Sequence, residues 1–218
     1  QCYGMKEELI KKVLPLFLKH GIRKMSNNNL VDLLGISTKT LYKYFTNKED
    51  LLEKVLLYYH AQQYEMQERL PARQNTACLF FSVWQQAVEI ECKTNKLFYE
   101  DLHYYYPELE KKVNKRISAK FERFFLSILE SGIEDGHFRK DVNPVAALRT
   151  IFVLHRTAVR IKELQDLRLS ETDLLLTTIG TYIRGLCSEN GLRNLDEYIA
   201  GLRVSPKTDF IYNHHSVY

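Results

Sequence analysis

Apolar residues recur at helical spacing along almost the whole of this chain, so its fold must come from packing amphipathic helices against one another. Only nine glycines and five prolines punctuate 218 residues, too few for the many turns of a sandwich or barrel. With 45% hydrophobic and 27% charged residues, the chain has the composition of a globular protein, neither disordered nor fibrous. No apolar run approaches the ~20 residues of a spanning helix, and no basic n-region leads into an apolar h-region. No membrane association is therefore expected, and the cytoplasm is the expected location. Cys2, Cys78, Cys92 and Cys187 lie far apart without a C-x-x-C pair, which fits reduced thiols and neither a zinc cluster nor a disulfide scaffold.

Met5 reads as a candidate start, and the first helix is expected from Met5 to His20. Leu9, Val13, Leu16 and Phe17 share one face, and Gly21 marks the stop. Pro15 removes one backbone hydrogen bond, so a bend is expected near Lys11. Ser26 can cap a second short helix that carries Leu30, Val31 and Leu34 and ends at Gly35. Ile36, Ser37 and Thr38 lead tightly into a third, with Leu41 and Phe45 four apart on one face. Two short helices joined by a glycine turn make a helix-turn-helix.

Thr46 or Asn47 can cap a fourth helix, with Glu49 or Asp50 closing a capping box; its stripe of Leu51, Leu52, Val55, Leu56 and Tyr59 runs to about Leu70 before Pro71. Further helices are expected near 76–93, 95–105, 108–135, 144–164 and 172–188, with a short one near 194–202. Ser170 is the expected cap of the helix bearing Leu174, Leu175 and Leu176. From Val204 the chain turns polar and patternless, as a frayed tail would. His214 and His215 stand there without companion ligands, so no metal role is expected.

Charge is unevenly spread. Residues 1–48 hold nine basic and three acidic residues, a net +6, whereas the remainder is −2. Lysines concentrated on a helix-turn-helix suit a polyphosphate partner, since each contact releases condensed counterions.

These residues resemble the TetR family of bacterial one-component transcriptional repressors. The resemblance runs from about Leu9 to Leu52. It is carried by Leu16-Phe17 with Gly21, Leu30, Gly35-Ile36-Ser37, Thr40-Leu41-Tyr42, Tyr44-Phe45, and Lys48-Glu49 with Leu51-Leu52. A weaker echo is Gly136-His137-Phe138-Arg139 with Asp141-Val142-Asn143-Pro144, similar to the family's loop before its penultimate long helix. Asn27, Asn28 and Asn29 depart from the usual start of the second helix, and Val31 stands where the family generally has alanine.

The expected architecture is all-α: a helix-turn-helix DNA-binding domain at 5–48, a helical effector and dimerisation domain at 49–203, and a tail at 204–218. The partners that the resemblance implies are a double-stranded DNA operator, a small-molecule effector and a second copy of the chain, with no cofactor and no metal. A recognition helix offers its exposed N-terminal end to base edges while neighbouring groups pin the phosphates. Ser37, Thr38, Lys39 and Thr40 open that helix, and Lys39 and Thr40 are the foremost base-reading candidates, because lysine donates to guanine and threonine can donate, accept or touch a thymine methyl. The resemblance implies phosphate contacts for Tyr42 and Lys48. Lys43 is a phosphate or base candidate, Ser26 opens the second helix, and Asn28 lies where relatives often read a base. Tyr44 is expected to pack partly into the core.

The second half is rich in aromatic rings, which at helical spacing are usually core. A bundle with surplus rings and a few polar groups can also form an apolar pocket, here expected from Trp84, Phe98, His103, Tyr106, Phe121 and His155. By resemblance, Leu148, Ile151, Val159, Leu175, Ile179 and Ile183 build a four-helix dimer interface, the alternative being ordinary intrachain core. Glu89, Glu91 and His103 are weak metal candidates without an E-x-x-H pair. The reading is a repressor released from a palindromic operator by a small hydrophobic or aromatic effector. Its rivals are an adaptor of the same fold that has lost DNA binding, and a helical-bundle enzyme, for which no acid-base set is recognisable.

Overall fold

The computed structural model describes residues 2–69, 75–160, 164 and 166–204. Among them the chain forms helices α1 (Cys2–His20), α2 (Asn27–Leu34), α3 (Thr38–Tyr44), α4 (Lys48–Glu68), α5 (Thr76–Lys93), α6 (Lys96–Tyr105), α7 (Pro107–Glu134), α8 (Pro144–Arg160), α9 (Glu171–Thr177), α10 (Ile179–Leu186) and α11 (Glu189–Val204). The ends expected near residues 70 and 161–164, and the tail beyond 204, lie outside the described residues or at their edge. No described helix is long and apolar enough to cross a membrane.

Local chemistry sets most boundaries. Ser26 Oγ accepts from the Asn29 amide, Ser37 Oγ from the Thr40 amide and Ser170 Oγ from the Asp173 amide, each satisfying an otherwise orphaned helix donor. At α4 the expected box forms: Asn47 Oδ1 accepts from the Asp50 amide at 2.8 Å, and Asp50 Oδ2 accepts from the Thr46 amide at 3.1 Å. Gly35 closes α2 in the left-handed conformation, φ 64°, which lets the chain turn directly into α3.

Four expectations are corrected. Helix α1 starts at Cys2 rather than Met5, though it continues through Pro15 to His20 as expected. The single helix expected over 172–188 breaks at Thr178, where the backbone leaves the helical region with ψ −87°. Thr177, Thr178 and Thr181 all turn their hydroxyls back to carbonyls of the preceding turn, competing with the helical ladder. The last helix is far longer than 194–202, because Ser188 Oγ accepts from the Gly191 amide and starts it at Glu189. Finally, α6 begins one residue late, with Asn95 as its cap.

Two hydrophobic cores form. The first gathers Leu9, Val13, Phe17, Ile22, Leu30, Leu41 and Phe45 with the α4 stripe, and also takes in Phe98 and Leu102 of α6 and Leu109 and Val113 of α7. The second is built on Phe80, Phe81 and Trp84 of α5, packed against α7, α8, α9, α10 and α11. Each fully buried leucine or phenylalanine contributes about 1.5–3 kcal/mol. Helices α4, α6 and α7 thus join the helix-turn-helix to the bundle through a shared interior.

Candidate nucleic-acid interface

Helix α3 is seven residues long and buries only Leu41, with Phe45 sealed behind it. Thr40 and Tyr44 are half-buried. Thr38, Lys39, Tyr42 and Lys43 are exposed on one polar edge, beside exposed Ser26 and Asn28 of the α2 start. Tyr42, 45% exposed, accepts a hydrogen bond from Asn27 Nδ2, which ties the two helices together at the outer surface. Tyr44 packs against the first core, as expected. The Thr40 hydroxyl pairs with Ser37 Oγ at 2.8 Å, so of the two foremost base-reading candidates Lys39 is the less constrained.

Lys48 is placed differently from a freely extended phosphate contact. Its ammonium donates to the Ile22 carbonyl at 2.7 Å, and half-burial pushes its pKa down, partly offset by the Asp101 carboxylate. Ile22 belongs to the turn between α1 and α2. The same turn is gripped by α6: the Arg23 amide donates to Asp101 Oδ2 at 2.8 Å, and the Arg23 guanidinium donates to the Tyr105 hydroxyl and stacks 4.1 Å over its ring. Gly21 adopts φ 82°, and a Cβ there would stand 2.9 Å from the Leu97 Cβ. The Asn95 amide and side chain donate to the carbonyls of Leu18 and Lys19.

The six rings expected to form one pocket do not converge. Phe98 lies in the first core against Tyr59, Phe121 stacks edge-on against His60 and Tyr64, and Tyr106 packs beside the first core. His103 is exposed and faces Glu110 at 3.4 Å, away from Glu89 and Glu91. Only Trp84 and His155 meet, their ring centroids 5.4 Å apart, with Phe125 and Phe152 around the indole.

Sequence reasoning missed what surrounds that pair. Arg160 Nε donates to Glu91 Oε1 at 2.7 Å and the guanidinium lies 4.8 Å from the Tyr99 ring centroid. The Tyr99 hydroxyl, pushed up to about 12 by burial, lies 3.2 Å from the Tyr59 hydroxyl. A polar chain therefore crosses from α8 through α5 and α6 to α4. Spacing along the sequence carries no signal for it, because each residue comes from a different helix.

The expected dimer residues are also corrected. Leu148, Ile151, Leu175, Ile179 and Ile183 are each 2% exposed or less within one chain, and Val159 packs against that same core, so these side chains hold the protomer together. The apolar side chains that α8 turns outward are Val145, Phe152 and Val153.

An exposed, capped helix presenting lysine and tyrosine beside a second helix N-terminus defines a helix-turn-helix DNA-binding regulator. Residues 6–55, the segment that carries the helix-turn-helix, match the family described as Bacterial regulatory proteins, tetR family. It is 20% identical over 161 residues to the HTH-type transcriptional repressor KstR2 of Rhodococcus jostii (strain RHA1), a match spanning 72% of this chain and 79% of that one. Among solved structures, the fatty acid degradation regulator FadR from Bacillus halodurans has 18% identity and a TM-score of 0.66, over 83% of this chain and 98% of its own. FadR from Bacillus subtilis in complex with stearoyl-CoA has 18% identity and a TM-score of 0.65, over 84% and 98%. Family members of this kind are transcriptional regulators and not enzymes.

Proposed function

We propose that this chain is a cytoplasmic, homodimeric repressor that occupies a palindromic operator and is released by a small hydrophobic or aromatic effector. The observation that carries the reading is the outward polar edge of α3; in this reading Lys39 and Thr40 read base edges, Tyr42 and, from α4, Lys48 take phosphates, Lys43 takes a phosphate or a base, Ser37 and Thr38 open the helix, and Ser26 and Asn28 flank it. In a dimer, two such edges about one duplex turn apart, roughly 34 Å, would grip successive major grooves. Pairing is proposed through the outward face of α8, with Val145, Phe152 and Val153, rather than through the buried leucines and isoleucines.

In this reading residues 5–48 act as the DNA-binding unit and 49–203 as the effector and dimerisation unit. The link between them is the grip of α6 on the α1–α2 turn through Asp101, Arg23 and Tyr105, together with α4. Effector binding in the bundle shifts these helices and alters the spacing of the two α3 edges. A coupling of about 1–3 kcal/mol gives roughly 5- to 150-fold release.

The test is selection from a pool of randomised duplexes with the full chain. A regulator of this type enriches an inverted repeat, and Lys39→Ala with Tyr42→Ala abolishes the enrichment while the fold is retained. Failure of the wild type to bind any duplex at low salt would mean the adaptor reading holds instead.

A further inference from the structure

Two ring nitrogens in the second core, Trp84 Nε1 and His155 Nε2, are buried and have no hydrogen-bond partner within the protein. They belong to touching rings, and Trp84 is 1% exposed and the only tryptophan in the chain. Buried polar atoms are normally paired, and each that is not costs free energy, so two unpaired nitrogens on neighbouring rings ask for an occupant. We infer that Trp84 and His155 anchor the effector through a hydroxyl group on an otherwise apolar, uncharged molecule. This rests on the effector-regulated reading above and names the ligand class that reading leaves open.

The chemistry of the two nitrogens selects the hydroxyl. An indole N–H only donates, so the ligand atom facing Trp84 must accept. His155 makes its hydrogen bond to the Ala87 backbone, and since Nε2 is unpartnered that bond runs from the Nδ1 side, leaving the Nε2 lone pair free. Burial holds the imidazole pKa down, against the pull of Glu91, so the neutral ring accepts. One hydroxyl both accepts from the indole and donates to the imidazole, whereas a ketone satisfies only the first and a hydrocarbon neither.

Charge excludes an acidic anchor. Arg160, a cation that acts on His155, is held by Glu91 at 2.7 Å and stacked on Tyr99. The other Glu91 oxygen sits 3.7 Å from His155 Nε2, where a second carboxylate would be repelled. The walls supplied by Phe80, Phe125 and Phe152 are apolar. Phe152, 41% exposed within one chain and part of the face proposed to pair in the dimer, covers the indole on its outer side.

Because Trp84 is the sole tryptophan, its emission reports the site directly in the DNA-free protein. The full chain is titrated with menthol, menthone and menthane, and with cyclododecanol, cyclododecanone and cyclododecane. The expected result is a change in Trp84 emission that saturates with at least one alcohol at about tenfold lower concentration than with its ketone or hydrocarbon, as a satisfied buried hydrogen bond predicts. His155→Leu removes the preference for the alcohol, His155→Gln restores part of it, and both variants keep the wild-type helical circular dichroism. The inference is overturned by equal response to alcohol and hydrocarbon, by tighter binding of decanoate than of the alcohols, by persistence of the preference in His155→Leu, or by silence with both alcohols. Duplex selection runs separately, so failure of DNA binding and failure of the hydroxyl anchor are read on different signals.

Discussion

The backbone amide of Arg23 donates to the carboxylate of Asp101 at 2.8 Å, a bond that pins the turn following the first helix onto α6 across 78 residues of sequence. Asp101 is buried, and its partner is a main-chain group that cannot move away without unwinding the turn. Replacing Asp101 with alanine strands that amide and is expected to cost about 1–3 kcal/mol. Urea unfolding checks it, with the midpoint falling at unchanged slope.

Gly21 and Gly185 should respond in opposite directions to the same added methyl. At Gly21 the backbone is left-handed and the new Cβ meets Leu97, so Gly21→Ala is expected to destabilise by about 1–3 kcal/mol. At Gly185, inside α10, nothing lies within 4 Å, and Gly185→Ala is expected to stabilise by about 0.5–1 kcal/mol. Thermal melting of the pair beside the wild type gives the two signs.

His60 makes the fold acid-sensitive. Burial against Phe121 and Tyr59 lowers its pKa to about 4, below the ordinary 6.5, despite the hydrogen bond that Gln63 Oε1 accepts from the ring, which raises it. The unfolded chain therefore binds the proton first: stability is full above pH 6.5, declines as pH falls from 6.5 to 4, and levels off below, a loss of up to about 3 kcal/mol from this group. His60→Phe should flatten that part of a stability–pH profile, and an unchanged profile would mean that the ring is solvated.

On DNA, Lys39 and Lys48 are expected to behave differently. Lys39→Ala should lower affinity for the selected operator by about 1–3 kcal/mol and relax preference at one base position. Lys48→Met should weaken all duplexes alike and reduce the salt slope by about one. Anisotropy titrations at several salt concentrations separate the two patterns.

The proposed dimer face can be tested by contrast. Val153 is 54% exposed and Ile151 fully buried. Val153→Glu is expected to give a folded monomer by sedimentation. Ile151→Glu, by contrast, is expected to cost more than 3 kcal/mol through an unpaired buried charge, and to unfold the chain.

What could be read from the sequence was whatever a few neighbouring residues decide. Ser26, Ser37, Asn47 and Ser170 cap their own helices, and Gly35 turns α2 into α3, so the helix-turn-helix was legible in full. The assignment of rings was not. Phe98 and Trp84 have the same local pattern, and only the return of α6 to the α1–α2 turn sends Phe98 to one core and leaves Trp84 in the other. Likewise Ile151 and Val153 are two residues apart on one helix, and apolarity alone gives no means of telling the face that fills the protomer from the face left outside. The break at Thr178 arises from three threonine hydroxyls acting together, which a periodicity argument averages away.

An ammonium group carries three protons, and Lys48 spends one on the Ile22 carbonyl. A nucleic-acid phosphate taken by another would stiffen, from the outside, the very turn that Asp101 steadies from within. If a small molecule in the bundle loosens the grip on DNA, as proposed, linkage runs equally in both directions, and the DNA-bound protein should hold that molecule less tightly than the free one by the same factor.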